Sequence, residues 1–115
     1  TVNDFGNCIT IDGEYGPVFE QKASDLSGNK LLFEMTFINP ETPKDFAISA
    51  NIHDGYSTLY YHSISVRFHQ TETPEKFQCL FVLPENLKGD ETVKCHLYNL
   101  KSENIKALSF KSISY

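Results

Sequence analysis

The chain has 115 residues, of which 40% are hydrophobic, including nine Phe and six Tyr, and this is enough apolar material for one core without a metal or a disulfide. Its formal net charge of −5 and its scattered basic residues exclude the clustered cationic surface that binds nucleic-acid phosphates or anionic lipid headgroups. Because the chain begins with Thr and lacks both a signal-peptide pattern and a long apolar run, we expect residues 1–115 to be a single β-sandwich domain, excised or processed out of a longer protein, with no direct membrane insertion in this segment.

The first part of the chain alternates predicted strands with turns. A strand is predicted over residues 2–11, a Gly- and Pro-rich turn over 12–17, a short strand over 18–22 and a loop over 24–29. Residues 30–39 set Phe33, Met35 and Phe37 against Glu34 and Thr36, the period-two alternation of a half-buried strand. A loop with two prolines follows at residues 40–45.

Residues 46–53 and 57–68 are predicted to form a hairpin around Asp54 and Gly55, because glycine adopts a positive φ at low cost. In each of these strands the alternate positions form one largely apolar face and one face of small, polar or aromatic residues. The second faces carry Ala47, Ser49, Asn51 and His53 in the first strand, and Tyr61, Ser63, Ser65 and Arg67 in the second.

Three further strands are predicted over residues 77–84, 92–99 and 105–115, separated by polar turns, after a polar loop at 70–76 that contains Pro74. Helix is limited to a single turn, at residues 23–26 or 85–87. This pattern predicts an all-β fold, an antiparallel β-sandwich of jelly-roll type. The predicted core consists of Phe33, Met35, Phe37, Ile48, Ile52, Ile64, Val66, Phe68, Phe81, Leu83, Val93, Leu97 and Phe110.

The three cysteines are too few and too irregularly spaced for a disulfide framework. Cys79 and Cys95 are in phase with apolar neighbours, which favours two buried, reduced thiols. A cross-strand disulfide between them is the alternative, since two inward cysteines on adjacent strands meet the geometric requirement. Cys8 is expected to be free.

No motif of catalysis or cofactor binding is present. The four histidines, His53, His62, His69 and His96, lack the spacing of metal ligands. There is no Gly-x-Ser-x-Gly nucleophile elbow and no phosphate-binding Gly-rich loop before a helix. The acidic residues lie mostly in loops, where solvated charge is the rule. We therefore predict that the chain is not an enzyme and that it uses no metal and no cofactor.

Three segments between residues 47 and 115 carry a resemblance to a known family, and each joins a turn to a strand. They are a hairpin around Asp54-Gly55, a strand that ends in Leu83-Pro84, and Gly89-Asp90 followed by a strand that ends in Tyr98-Asn99. In this order they resemble the jelly-roll β-sandwich of carbohydrate-binding-module-like domains, which occur as accessory domains of bacterial surface proteins. The resemblance implies an extracytoplasmic or cell-surface binding module without catalytic activity.

The chain departs from this family in two respects. Related jelly rolls often carry an acidic pair in the last strand that helps to hold a structural calcium ion, and here the corresponding positions are Leu108 and Ser109. Calcium requires several oxygen ligands, including carboxylates, so the resemblance does not extend to a calcium site. Ligand platforms in the family also often use Trp, which this chain lacks.

Tyrosines interleaved with polar residues in the predicted hairpin are the candidate ligand-binding group. Sugars stack their C–H faces on aromatic rings, while polar side chains pair with their hydroxyls. The candidate residues are Asn51, His53, Tyr56, Tyr61 and Arg67. They predict an oligosaccharide or polysaccharide ligand; the tyrosines' alternative role is ordinary packing on a sheet face. The alternative function is a structural or protein-interaction domain that docks a partner or a neighbouring domain through a sheet edge or its loops.

Overall fold

The computed structural model describes residues 2–6, 9–11, 15–39, 42–98 and 105–115, with side chains over 18–39, 42–98, 109 and 111–115. Within these ranges the chain forms nine strands and a single 3-10 turn at Ala23–Asp25, one of the two places where a helical turn is predicted. The strands are β1 (Val2–Gly6), β2 (Ile9–Ile11), β3 (Tyr15–Lys22), β4 (Lys30–Asn39), β5 (Lys44–His53), β6 (Thr58–Phe68), β7 (Thr71–Val82), β8 (Thr92–Tyr98) and β9 (Ile105–Ser114).

Antiparallel pairing joins these strands into two sheets. Sheet A has the order β1-β9-β4-β7, with β2 also paired to β9, and sheet B has the order β3-β8-β5-β6. The chain passes from one sheet to the other at each step from β2 to β5 and again at each step from β6 to β9. The predicted all-β sandwich of jelly-roll type is therefore confirmed.

The hydrophobic core lies between the sheets because alternate residues of each strand face inward. In β4 the odd-numbered residues from Leu31 to Phe37 are buried, and the intervening ones are half-exposed. The predicted core residues that the structure confirms as buried are Phe33, Met35, Phe37, Ile48, Ile52, Phe68, Phe81, Leu83, Val93 and Leu97. The core also contains Phe19, Leu31 and Phe46, which the sequence analysis did not assign to it. The side chain of Phe110 lies outside the described residues.

Ile64 and Val66 are only partly buried, although they were predicted as core. Both belong to β6, which lies at the end of sheet B and has a described neighbour on one side alone. Their inward positions are correct, since both pack against the core cluster. They stay half-exposed because no further strand within the described ranges covers that side.

The predicted loop at residues 70–76 is wrong, since β7 begins at Thr71 and pairs with β4 as far as Val82. Pro74 excludes a central strand, but β7 is an edge strand of sheet A, where a missing N–H is tolerated. The register between β7 and β4 also shifts between Phe37 and Asn39, opposite this stretch. Proline at an edge and at an irregularity of the ladder therefore does not end the strand.

Two predicted elements near the N-terminus also differ from the structure. The single strand over residues 2–11 is instead two strands, β1 and β2, which pair with different parts of β9. The predicted turn over residues 12–17 is overlapped by β3, which begins at Tyr15 and shifts register before Val18. A register shift of this kind absorbs residues that do not fit a regular ladder, so Gly16 and Pro17 are accommodated within the strand.

Asn39 links two of the connections between the sheets. Its side chain is buried, and its Nδ2 lies 3.1 Å from the carbonyl oxygen of Thr42 and 3.2 Å and 3.3 Å from those of Phe68 and His69. Thr42 belongs to the connection between β4 and β5, Phe68 is the last residue of β6, and His69 begins the connection between β6 and β7. One amide therefore satisfies carbonyl groups on both connections, as burial of those groups requires.

The two described cysteines are buried and unbonded, as predicted. Cys79 lies in β7 of sheet A and Cys95 in β8 of sheet B, so they are not on adjacent strands, as a cross-strand disulfide requires. Burial raises the pKa of the Cys79 thiol to about 11, and burial raises that of Cys95 as well, with a smaller contribution from Cys79. Cys8 lies outside the described residues.

Replacing Asn39 with Asp removes the donor to three carbonyl oxygens and sets a carboxylate against them. We expect the Asn39→Asp variant to lose at least about 3 kcal/mol of unfolding free energy at neutral pH, because a buried charge without a partner is costly. Urea unfolding followed by circular dichroism measures the loss. Asn86→Asp is the matched control, since Asn86 is exposed in the loop between β7 and β8; equal midpoints for the two variants would contradict the role given to Asn39.

The buried thiols should be unreactive until the protein unfolds. In a Cys8→Ser variant kept without reductant, we expect a thiol reagent to label no cysteine in the native state at neutral pH and both Cys79 and Cys95 in denaturant. Ellman titration counts the thiols, and a sample treated with reductant and then desalted is the control. Rapid labelling of the native protein, or absence of free thiols in denaturant, would contradict the burial of two reduced cysteines.

Candidate functional site

A groove crosses the outer face of sheet B, the face turned away from the core. Its floor consists of small side chains on neighbouring strands: Ala47 and Ser49 of β5 lie opposite Ser65 and Ser63 of β6. The Ser49 hydroxyl donates to the Ser63 hydroxyl at 3.0 Å. Because these side chains are shorter than those around them, the surface is depressed here, and the resulting groove has a volume of about 350 Å³.

Two tyrosines and one histidine border the floor. Tyr98 and His96 of β8 lie opposite Ala47 and Ser49, on the side away from β6. Tyr61 borders the other side from β6, and its side chain is 63% exposed. The groove therefore combines aromatic rings on two strands with a floor of hydroxyl groups, which is the composition of a site with an apolar body and a few oriented polar groups.

The lining of this groove carries no formal charge at neutral pH. Burial of His96, helped by the positive charge of nearby Lys94, holds the pKa of its imidazole below the ordinary value of 6.5. The imidazole is therefore neutral at pH 7. One row beyond the floor on this face, Arg67 Nη1 lies 3.4 Å from Asp45 Oδ1, and water screens this ion pair because the Arg67 side chain is largely exposed. These properties suit a neutral ligand rich in hydroxyls.

The structure separates the five residues proposed from the sequence into two groups. Asn51, Tyr61 and Arg67 occupy alternate positions on the outer face of sheet B, with Asn51 directly opposite Tyr61. Of these three, Tyr61 lines the groove. His53 ends β5, and Tyr56 lies in the turn between β5 and β6, so these two belong to the end of the sheet.

The turn between β5 and β6 is held by side-chain bonds to its own backbone. His53 Nδ1 accepts a hydrogen bond from the Gly55 N–H at 2.9 Å, and Asp54 Oδ1 accepts from the Tyr56 and Ser57 N–H groups, each at 2.8 Å. The bonds from Ser57 and Tyr56 lower the pKa of the Asp54 carboxyl. Gly55 has a φ of 95°, which favours glycine, so the predicted Asp-Gly turn is present. These bonds explain His53 as a structural residue.

A second depression, of about 500 Å³, lies between this turn and the loop from β7 to β8. Its lining includes Asp54, Tyr56 and Leu59 on one side and Lys88 and Glu91 on the other. The Glu91 carboxylate accepts hydrogen bonds from the Lys88 N–H at 2.8 Å and the Gly89 N–H at 2.7 Å, and the bond from Lys88 is the main cause of its lowered pKa. The carboxylates of Asp54 and Glu91 therefore fix the loops that form the walls.

Tyr98 and His96 were missed by the sequence analysis, as were the small floor residues. The alternation of small and polar residues at 47, 49, 63 and 65 was visible in the sequence. The position of β8 beside β5 was not visible, because these strands are separated in the chain by β6 and β7. The signal that points to the groove is a pair of adjacent strands whose outer faces lack bulk.

Among the described residues, no group of three His, Cys, Asp or Glu side chains is arranged to hold a metal ion. Ser109, one of the two positions compared with a calcium site, is half-buried in β9, and the side chain of Leu108 lies outside the described residues. In the part of the chain that the structure describes, no helix has the length and apolar character needed to cross a membrane.

No family model matches the sequence, and no curated protein matches it. The fold is similar to that of the CBM22-1 xylan-binding domain from Paenibacillus barcinonensis Xyn10C, with a TM-score of 0.53 and 14% identity over 82% of this chain and 62% of that one. The enzymatically active domain of tailspike protein 4 from bacteriophage CBA120 matches with a TM-score of 0.50 and 13% identity over 96% of this chain and 19% of that one. A CBM4 structure matches with a TM-score of 0.43 and 14% identity over 83% of this chain and 55% of that one.

At such identities the likeness concerns the fold: the chain is a β-sandwich like that of the CBM22-1 domain. The chain spans 62% of the length of that xylan-binding structure. Transfer of a ligand or a binding residue between proteins this distant requires an argument from the site itself, because one fold serves many functions.

The lowered pKa of His96 makes stability depend on pH in a defined direction. The unfolded chain binds a proton near pH 6.5, whereas the folded chain binds it at a lower pH, so the contribution of His96 to stability is present above 6.5 and is lost as the pH falls through the folded-state pKa. We therefore expect the stability difference between the wild type and a His96→Asn variant to become less favourable to the wild type on acidification.

Urea unfolding of both proteins at a series of pH values measures this difference. Titration of the imidazole Cε1–H resonances by NMR, with the variant used to assign His96, gives the folded-state pKa directly. A midpoint for His96 at or above 6.5 would contradict the effect of burial.

Proposed function

We propose that the chain is a non-catalytic carbohydrate-binding module and that the groove on the outer face of sheet B binds a segment of an oligosaccharide or polysaccharide. The observation that carries this proposal is the groove itself. Tyr61 of β6 and Tyr98 of β8 stand at diagonally opposite corners of a floor of small and hydroxyl-bearing side chains. The groove lies on a regular sheet, which holds the side chains of a binding site more rigidly than loops do.

The chemistry of the groove matches that of a sugar ring. A pyranose has faces of C–H groups, which pack on aromatic rings, and a rim of hydroxyls, which need donors and acceptors. Tyr61 and Tyr98 supply the rings. The hydroxyls of Ser63 and Ser65 and the neutral imidazole of His96 each both donate and accept hydrogen bonds. A neutral lining favours uncharged sugars in the centre of the groove.

Asn51 and Arg67, which the sequence analysis proposed together with Tyr61, extend the site in our proposal. Asn51 is the cross-strand partner of Tyr61, and Arg67 lies beyond Ser65 at the other end of the floor. A longer ligand that follows the groove contacts both. Tyr56 and His53 take no part in the proposed site, since both lie at the end of the sheet, outside the lining of the groove, and His53 is bonded to its own turn.

Two observations support a binding role over a catalytic one. The thiol of Cys79, a nucleophile in principle, is buried with a pKa raised to about 11, so its thiolate is scarce at neutral pH. Fold likeness to a xylan-binding domain supports a carbohydrate ligand and, with it, an accessory domain of a longer protein that acts outside the cytoplasm. Both the cell-surface location and the presence of neighbouring domains belong to the proposal.

A protein-interaction domain is the second candidate function, and a separate observation favours it. β6 lies at an edge of sheet B, and its inward apolar residues are only partly covered. This edge does not compete with the groove, because a strand edge binds through its backbone and the groove through outer-face side chains.

Removal of either tyrosine ring from the groove should weaken glycan binding. We expect Tyr61→Ala and Tyr98→Ala each to lower affinity at least about tenfold, equivalent to about 1.4 kcal/mol, because each removes a stacking surface. A glycan array identifies the ligand, and affinity electrophoresis in gels that contain the corresponding polysaccharide measures the change. Circular dichroism checks that each variant is folded.

Tyr56→Ala is the matched control, since it removes an exposed ring outside the groove, and its binding should equal that of the wild type. Failure of the wild type to bind any oligosaccharide or polysaccharide would remove the proposed function. An equal loss in Tyr56→Ala would move the site to the end of the sheet.

A further inference from the structure

The described edges of the two sheets differ in how they are protected against pairing with another strand. β7 contains Pro74 and Lys76, and β3 carries Glu20 and Lys22 and shifts register near its start. The edge formed by β1 and β2 is divided between two short strands, and β1 also shifts register against β9. Prolines, charges, bulges and short strands are the usual means by which proteins prevent edge-to-edge pairing.

β6 lacks these protections over most of its length. From Tyr60 to Phe68 its register with β5 is continuous, and the irregularity lies before this stretch. These residues include no proline, lysine, aspartate or glutamate, and Arg67 is the one arginine among them. A strand of this kind presents a row of backbone donors and acceptors to any strand that arrives.

The inward side of β6 is also incompletely covered. Tyr60, Ile64 and Val66 pack against the core and yet remain half-exposed. His62 is exposed on the same side, with its ring 6.0 Å from that of Phe81. Apolar side chains that continue the core pattern but remain half-exposed at an edge indicate that a further strand can pack against this edge.

We propose that a second copy of the chain supplies the missing strand, through antiparallel pairing of β6 with β6 about a two-fold axis at Ile64. A two-fold interface brings the same surface of both copies together, so the sequence of β6 must be complementary to itself. With Ile64 opposite Ile64, the inward positions pair His62 with Val66 and Tyr60 with Phe68. The outward positions pair Ser63 with Ser65.

The remaining outward pair in this register is Tyr61 with Arg67. It brings a guanidinium group beside an aromatic ring twice in the dimer, which is a favourable contact. No two like charges are opposite each other, since Arg67 is the one strongly charged residue of the stretch. Because β6 is complementary to itself in this register, a second copy of the chain is favoured over an unrelated strand as the partner at this edge.

The pairing joins the two grooves. Sheet B becomes a continuous sheet of eight described strands, and the floor residues Ser63 and Ser65 of one copy adjoin those of the other. Arg67 of each copy then borders the groove of its partner beside Tyr61. Formation of the dimer does not require glycan binding, so the proposed dimer and the proposed glycan-binding function can be tested independently.

Analytical ultracentrifugation without any glycan tests the inference. We expect the wild type to sediment at twice the 13.1 kDa of the chain at about 100 µM. The His62→Lys variant should sediment as a monomer, because the dimer would bury an unpaired ammonium group that the monomer leaves in water. Thr73→Lys is the matched control: Thr73 is exposed on the edge strand β7, and this variant should remain a dimer.

An Ile64→Cys variant tests the axis directly. Opposite residues of antiparallel strands have Cα atoms about 4.5–5.5 Å apart, within reach of a disulfide. Mild oxidation should therefore link two copies on a non-reducing gel, whereas Thr73→Cys should give no such band. A wild type that is monomeric throughout, a dimer that survives His62→Lys, or equal cross-linking of both cysteine variants would overturn the proposal.

Discussion

The contact between the inner faces of the two sheets is the interaction on which the rest of the structure depends. Phenylalanine rings dominate it: the ring centroids of Phe37 and Phe77 in sheet A lie 4.6 Å and 5.6 Å from that of Phe68 in sheet B, and Phe19 meets Phe33 edge to face at 6.1 Å. Because a strand turns successive side chains to opposite faces, a residue committed to this contact determines where its neighbours stand. The outer face of sheet B, and with it the groove, is therefore set by the same alternation that builds the core.

Much of the fold could be predicted from the sequence, and the errors have a common cause. The bounds of β4 were predicted correctly, because its alternation is regular and both of its neighbours in sheet A enforce it. Pro74 and Ile64 were misjudged because they lie on edge strands, where a proline is tolerated and an inward residue stays half-covered. Local sequence shows that a segment is a strand; it does not show whether that strand is central or at an edge.

The candidate site was less predictable than the fold. Tyr61 was identified because aromatic and polar residues alternate locally in the hairpin. Tyr98 and His96 reach the same groove only through the pairing of β8 with β5, two strands that are separated in the chain by β6 and β7. His53 was also proposed from the sequence as a ligand-binding residue, and in the structure its Nδ1 accepts a hydrogen bond from the Gly55 N–H of its own turn. Position within the sheet, more than residue type, separates the groove residues from those that resemble them.

The burial pattern of β5 limits the amino-acid substitutions that this protein tolerates. Residues 46–50 are all buried in succession, since the even positions belong to the core and Ala47 and Ser49 form the floor of the groove. In most strands at the surface, every second residue can be substituted with little effect on stability. Residues 46–50 include no such position. Enlarging Ala47 or Ser49 fills the groove, and altering Phe46, Ile48 or Ala50 disturbs packing. If the groove binds a ligand as we propose, differences in ligand preference between variants of this chain must therefore arise from substitutions in β6 and β8, while residues 46–50 of β5 stay nearly constant.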